Sequence, residues 1–254
     1  MTMFNGSVSH FDSCRLLPIL AAAILFSGAG PVHADISQGL VAYYPFDDGT
    51  ATDHSGHGRD GLMHNGVAST PGVVGLGAYF DGNDDWIAVD LPLTGTDWAV
   101  ATWFRIDDFD PGYTDWYEII CNPAQNIALG SDAVHRDLRN WCSGSPTTTA
   151  ANILQPGALH HVVFQNSGGT TSIHMDGMLM ATGGACPSPS NFTNIGQWAP
   201  GHPSAIEREP FFGMMDEFRV YDRALTEQEI DILSDMNATP NEAKTWGQMK
   251  TEYR

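Results

Sequence analysis

Basic residues are scarce in this chain. Its 254 residues hold 11 Lys+Arg against 30 Asp+Glu, a formal net charge of −19 at pH 7. Nucleic acid and anionic membranes both require a basic footprint, so neither is expected as a partner. Long apolar runs are also missing. Beyond the first 34 residues no stretch approaches 18 uninterrupted apolar residues, which excludes a helical membrane span on sequence grounds. There is no Gly-x-Ser-x-Gly elbow and no phosphate-cradling Gly-Lys loop. Only four cysteines occur, at 14, 121, 142 and 186, and no motif sets a His and a carboxylate beside 121, 142 or 186, so a structural thiol is favoured over a catalytic one.

The N-terminus has the parts of a secretory signal: Arg15, the apolar residues 16–26, and the small-residue exit Val32-His33-Ala34. A signal peptide over 1–34 is therefore expected, with an exported mature chain from about Asp35 in the extracellular space or periplasm. Asp12 and Arg15 cancel, so the mature chain keeps the charge of −19. Cys14 leaves with the signal. The odd set Cys121, Cys142 and Cys186 predicts one disulfide and one free thiol in an oxidising compartment. Cys121 and Cys142 are the expected pair, because each ends an aromatic strand-like run, WYEII and LRNW.

What fills the rest is short, strand-like periodicity. Apolar runs recur at 39–44, 78–80, 86–89, 98–106, 116–121, 125–130, 138–142, 160–165, 171–175 and 178–181, with turn residues in nearly every gap. Asp176-Gly177 is the strongest hairpin signal, since a two-residue type I′ turn needs positive φ at both positions. One helix is predicted over 227–236. Thr226 and Glu229 form a capping box, and Leu225 and Ile230 a hydrophobic staple. About a dozen strands with one short C-terminal helix predict an all-β, two-sheet antiparallel sandwich over 35–236, followed by a polar tail at 237–254.

Four segments carry a family resemblance: YPFDDGTATDHSGHGRDG from Tyr44, YFDGNDDWI from Tyr79, LHHVVF with SIHMDG from Leu159, and FFGMMDEFRVYDRALTEQEI from Phe211. Together they resemble the LamG-like jelly roll of the concanavalin A-like lectin/glucanase superfamily, with Leu159 where the family usually has Trp. The resemblance spans most of residues 39–233 and implies a jelly-roll sandwich whose first and last strands lie side by side. It further implies a structural calcium ion, with side-chain oxygens from Asp53 and Asp216 and loop carbonyls near Ser55 to Gly58. Hard cations take six to eight oxygens, and this mixture suits calcium. The alternative is that Asp53 caps a turn and Asp216 bonds backbone. The loop Asp81-Gly82-Asn83-Asp84-Asp85 reads as a tight turn, since it lacks an EF-hand's spacing and terminal Glu.

Such a fold hosts binding modules and enzymes alike, so function rests on sites. Glucanases of this fold carry Glu-x-Asp-x-x-Glu on one central strand, and the chain has no such run. Glu207 and Glu209 alternate but lie in a Pro-flanked segment, and Asp115 and Glu118 lack the parity to share a strand face. Sugar binding fits better. Sugars stack apolar C–H faces on aromatic rings while their hydroxyls bond polar side chains. Trp116, Tyr117, Trp141, Trp198 and Arg139 are the candidate carbohydrate-binding residues. The expected function is a secreted, non-catalytic, lectin-like module for an extracellular glycan or polysaccharide. A protein-binding adhesion or surface structural module, and a glycan-cleaving enzyme (hydrolase or lyase) with an unfamiliar site, are the alternatives.

Overall fold

The computed structural model describes residues 34–235 except 110–113, 143–144, 187–190, 202–203 and 205–207. The expected signal, up to residue 33, and the tail at 237–254 lie outside the described residues, as does Glu207. Two antiparallel sheets form, with strands numbered in chain order. The first runs β13 (Met178–Gly183), β12 (Thr170–Met175), β11 (Leu159–Ser167), β6 (Trp98–Ile106), β15 (Phe212–Tyr221), β4 (Leu76–Asp81), β3 (Ala68–Pro71), with β1 (Leu40–Tyr44) also on β15. The second runs β10 (Ser145–Thr148), β9 (Asp137–Cys142), β8 (Ile127–Asp132), β7 (Trp116–Asn122), β14 (Asn191–Ile195), β5 (Trp86–Pro92), β2 (Leu62–His64). The jelly-roll sandwich expected from the sequence is the architecture observed.

Alternation builds the core. Inward residues of both sheets meet as Trp98 against Phe192, ring centroids 5.9 Å apart and edge-on, while Phe80 of β4 packs in the same geometry at 5.7 Å on Phe211, just before β15. Phe104, Phe218, Ile87, Ile119, Ile120 and Leu129 complete this layer at essentially zero exposure. Each such side chain contributes roughly 1.5–3 kcal/mol relative to leaving it in water. At Asp176-Gly177 both φ angles are positive, 51° and 80°, as the predicted turn demands.

The outer face of the eight-stranded sheet is sealed by the helix α1 (Glu227–Ser234). Its capping box forms: Thr226 Oγ1 accepts from the Glu229 N–H, and Glu229 Oε2 accepts from the Thr226 N–H at 2.8 Å. Leu225, Ile230 and Leu233 bury against Ala99, Ala101 and Val163. The helix is two residues shorter than expected. Trp103 Nε1 donates to the Leu233 carbonyl at 3.2 Å and so satisfies one acceptor of the last turn.

Strand β15 is the seam of the domain. One edge pairs with β6, while the other is shared end to end by β4, at Phe212 to Met215, and β1, at Phe218 to Tyr221. Asp216 and Glu217 sit where that edge changes partner. The register against β6 slips between Asp216 and Arg219, and Glu217 adopts φ 54°. The acidic pair that interrupts this apolar strand is thus a β-bulge.

The disulfide is Cys142–Cys186, and Cys121 is a buried free thiol. The expected Cys121–Cys142 pair is corrected by strand parity. Cys121 is opposite Ala128, which is opposite Trp141, so Cys121 shares a face with Trp141. Its neighbour Cys142 points to the other face, into the core, and β8 stands between the two strands.

Candidate functional site

The outer face of the seven-stranded sheet has no helix over it among the described residues. Three cross-strand rows from β7, β8 and β9 point there: Trp116, Asp132 and Asp137; Glu118, Gly130 and Arg139; Cys121, Ala128 and Trp141. A β-bulge in β7 keeps this set together. Ile119 and Ile120 both turn into the core, which lets Glu118 and Cys121 share the outer face although three positions apart. Gly130 is needed here because a Cβ would lie 2.7 Å from Trp116 Nε1, so the indole lies across β8 only over glycine.

Trp198 and Glu209, from the connection between β14 and β15, come over this face. Trp198 and Ala199 N–H groups both donate to the Arg208 carbonyl, and Phe211 N–H donates to Gly196 O. Asn194 Nδ2 holds the Trp198 carbonyl at 3.2 Å. Gly196, at φ 86°, is packed so closely on the Phe80 ring that a Cβ would come within 2.5 Å of it. The result is a pocket of about 340 Å³ walled by Trp116, Trp141 and Trp198, with Ala128 and Asn126 at one side and Asp115, Asp132, Arg139 and Glu209 supplying polar groups.

The structure therefore brings Trp116, Trp141, Trp198 and Arg139 into one place. Tyr117 does not join them: as the neighbour of Trp116 on a strand it faces inward, 2% exposed, edge-on to Phe109 at 5.5 Å. Arg139 lies in the wall, but its donors are taken. It makes a two-point contact with Asp137 at 2.9 and 3.0 Å, an ion pair with Asp132 at 3.0 Å, and a 3.1 Å contact with His135 Nδ1. Asp132 and Asn126 were not read from the sequence, and Glu209 was read as a residue of a Pro-flanked segment away from any site. The register of β8 on β7 carries Asp132 opposite Trp116, and the connection between β14 and β15 carries Glu209. Neither pairing has a local sequence signal.

One layer behind the pocket lies Glu118, fully buried. Its Oε1 accepts from the Leu129 N–H at 3.2 Å beside the bulge, and its Oε2 has no partner. Burial, and then the charge of Glu209, push this carboxyl well above the usual range. Burial also raises the Cys121 thiol, with Glu118 and Glu209 adding to the shift.

Asp53 and Asp216, the residues the family resemblance implies for calcium, are each engaged by hydrogen-bond donors of the protein itself. Asp53 Oδ1 accepts from the N–H groups of Tyr43 and Ser55, and Oδ2 from Ser55 Oγ and the Arg59 N–H, all within 3.0 Å. These bonds hold its carboxyl below the usual range against the opposing effect of burial, which is the larger single influence. Asp216, fully buried, accepts from Val73 and Val74 N–H groups on Oδ2 and from its neighbour Glu217 on Oδ1. Tyr43 turns its N–H and carbonyl to Asp53 and His54, so β1 stands between Asp53 and β15, which carries Asp216. The two residues tie loops to strands by hydrogen bonding. Carboxylates of Asp81, Asp84 and Asp85 do approach within 4.8 Å of one another in the β4–β5 turn. Within that turn Asp81 Oδ1 accepts from Asn83 and Asp85 Oδ2 from Asp81.

Two antiparallel jelly-roll sheets, one face sealed and one carrying an aromatic pocket, define a lectin-like sandwich. A family profile for the concanavalin A-like lectin/glucanases superfamily matches residues 81–231, and the chain belongs to that superfamily. No match to a curated protein is found. Among solved structures, domain 4 of AbnA, a GH43 extracellular arabinanase from Geobacillus stearothermophilus solved with arabinotriose, is similar at TM-score 0.59 and 18% identity. That match covers 77% of this chain and 98% of the domain. The binding domain of Paraclostridial Mosquitocidal Protein 1 is similar at TM-score 0.64 and 14% identity, over 82% of this chain and 54% of the other. The binding domain of Botulinum Neurotoxin DC, solved in complex with SialylT, is similar at TM-score 0.59 and 13% identity, over 81% and 53%. This chain thus spans about half the length of the two toxin domains. At these identities the likeness is one of fold.

Proposed function

We propose that this protein is an exported carbohydrate-binding module whose ligand site is the pocket between Trp116, Trp141 and Trp198. The observation that carries the reading is the convergence of three indoles with carboxylates on the uncovered face of a rigid sheet. Indole faces offer flat apolar surface to sugar C–H groups, and Asp115, Asn126, Asp132 and Glu209 offer hydrogen-bond acceptors to hydroxyls. The neighbours solved with arabinotriose and SialylT support it by analogy of fold. Export accords with the apolar run at 16–26 and with the Cys142–Cys186 bridge, because disulfides persist in oxidising compartments. Calcium at Asp53 and Asp216 has no part in this reading.

The fully buried carboxyl of Glu118, raised above the usual range by burial and then by the charge of Glu209, motivates a second reading, glycan cleavage, because a carboxyl with a raised pKa can act as a general acid. Glu118 has no exposed surface with which to touch a substrate, so binding is the better supported function. A glycan array probed with the full chain tests it. Selective binding is expected, reduced about tenfold or more in Trp198→Ala while the melting temperature stays within a few degrees of the parent. An array without hits, or binding indifferent to both Trp116→Ala and Trp198→Ala, refutes the assignment. Release of reducing ends that Glu118→Gln abolishes establishes the enzyme instead.

A further inference from the structure

The turn between β4 and β5 crowds like charges together. One oxygen from each of Asp81, Asp84 and Asp85 lies within 4.8 Å of the other two. Among the described residues no basic side chain is ion-paired to any of the three. Clustered carboxylates repel one another, most strongly where water is excluded. Asp85 is in that position, only 2% exposed. Its Oδ2 accepts from the Asp81 N–H at 2.9 Å, while its buried Oδ1 has no hydrogen-bond partner. Burial, and then the charges of Asp81 and Asp84, raise this carboxyl above the usual range against the effect of the Asp81 N–H. A buried carboxylate oxygen without a donor is costly unless positive charge meets it.

The surroundings admit an ion. In the β2–β3 turn a Cβ on Gly66 would come 3.3 Å from Asp85 Oδ1, and glycine leaves that space open. Asp81 is exposed and Asp84 partly so, which connects the cluster to solvent. All three donors are oxygen, the preference of a hard cation, and calcium completes irregular shells of six to eight oxygens with carbonyls and water.

We propose that the β4–β5 turn binds one calcium ion through the carboxylates of Asp81, Asp84 and Asp85. The turn is tied to the connection that walls the Trp pocket. The Asn83 carbonyl accepts from Gln197 Nε2 at 3.4 Å and from Arg208 Nε at 3.1 Å, and Asn83 Oδ1 accepts from Arg208 Nη2 at 3.0 Å. The Trp198 N–H donates in turn to the Arg208 carbonyl at 2.9 Å. An ion in the turn therefore braces the segment that carries Trp198, whether or not the pocket takes a glycan.

Calorimetric titration of the full chain with calcium chloride tests the site, together with melting in calcium chloride and in sodium chloride of equal ionic strength. One ion is expected to bind with a Kd on the order of 10⁻⁴–10⁻³ M, the range of extracellular modules. About 10 mM calcium should then raise the Tm by about 3 °C or more above the sodium control. Affinity should fall about tenfold or more in both Asp84→Ala and Asp81→Asn, because each removes ligand charge. Asp53→Asn should bind as the parent does. Urea midpoints in chelator, expected near the parent's for all three variants, separate lost binding from lost folding. No heat and no stabilisation beyond the sodium control overturns the site. So does an affinity unchanged in both Asp81→Asn and Asp84→Ala. Binding lost in Asp53→Asn moves the ion to that loop and likewise overturns the proposal.

Discussion

The two outer faces of the sandwich use the same residue types to opposite ends. Over the eight-stranded sheet, Arg219 donates to Glu217 Oε2 at 2.7 Å, lies 3.9 Å over the Tyr43 ring, and Tyr43 Oη donates to Glu217. Every member is nearly inaccessible, and α1 closes the face beside them. Over the seven-stranded sheet, an arginine, carboxylates and aromatic rings meet again. There the arginine and carboxylates stand with indole rings that border a cavity, and no helix covers them among the described residues. One guanidinium matched to one carboxylate and stacked on one ring is a closed structural unit. The same residue types around a cavity leave room for a ligand.

The largest effect expected of this contrast is on stability. Glu217→Ala leaves Arg219 buried without its carboxylate and should cost about 3–5 kcal/mol, read as a lower urea midpoint. A cost below about 1 kcal/mol would mean that this face is as solvent-tolerant as the other and would dissolve the distinction.

A smaller effect sharpens the same point through pH. His161 lies on the sealed face beside Trp103, and burial together with the positive charge of Arg219 holds its pKa down to about 3. The unfolded chain titrates near 6.5, so below that pH the unfolded state takes up a proton that the native state refuses. Stability should fall by about 2 kcal/mol between pH 7 and pH 5 from this residue alone. His174, lowered by burial, adds with the same sign. Asp53, Asp176 and Glu229 also have depressed pKa values, yet their contributions are lost only as pH falls through and below about 4. Urea melts of His161→Gln should therefore show a shallower loss over pH 7 to 5. An unchanged slope would place the titration elsewhere.

The smallest expected effect is that of calcium at the seam. Whatever shift in melting temperature calcium gives the parent, Asp53→Asn should show the same shift, because the Asp53 oxygens are engaged by N–H and O–H donors of the protein itself. Loss of the shift in that variant would restore the metal to the loop.

Much of the fold was legible because it is written locally. Alternation marked most of the longer strands, Asp176-Gly177 fixed its hairpin, and Thr226 with Glu229 fixed the start of α1. The site was legible only in part. Trp116, Trp141 and Trp198 were found by their chemistry, whereas Tyr117 was misplaced although adjacency on a strand already turns it away from Trp116. The disulfide failed for the same reason, since Cys142 follows Trp141 and so opposes it. Asp132 and the bulge at Ile119 depend on register between strands, which side-chain alternation alone leaves open, and Glu209 depends on the path of the β14–β15 connection. The acidic pair at Asp216 was visible as an interruption, but its reason, a strand edge passing from β4 to β1, exists only in three dimensions.

That shared edge has a consequence for how the molecule is made. Leu40 pairs with Tyr221, so the first strand synthesised waits for almost the last. At about 5–20 residues per second, the chain between them takes on the order of ten seconds or more to emerge. Throughout that interval Leu40-Val41-Ala42-Tyr43-Tyr44, buried along its whole length in the finished protein, has no partner strand. An unpaired apolar strand edge is an invitation to aggregate. The sandwich thus stays open along β1 until β15 arrives to pair with it.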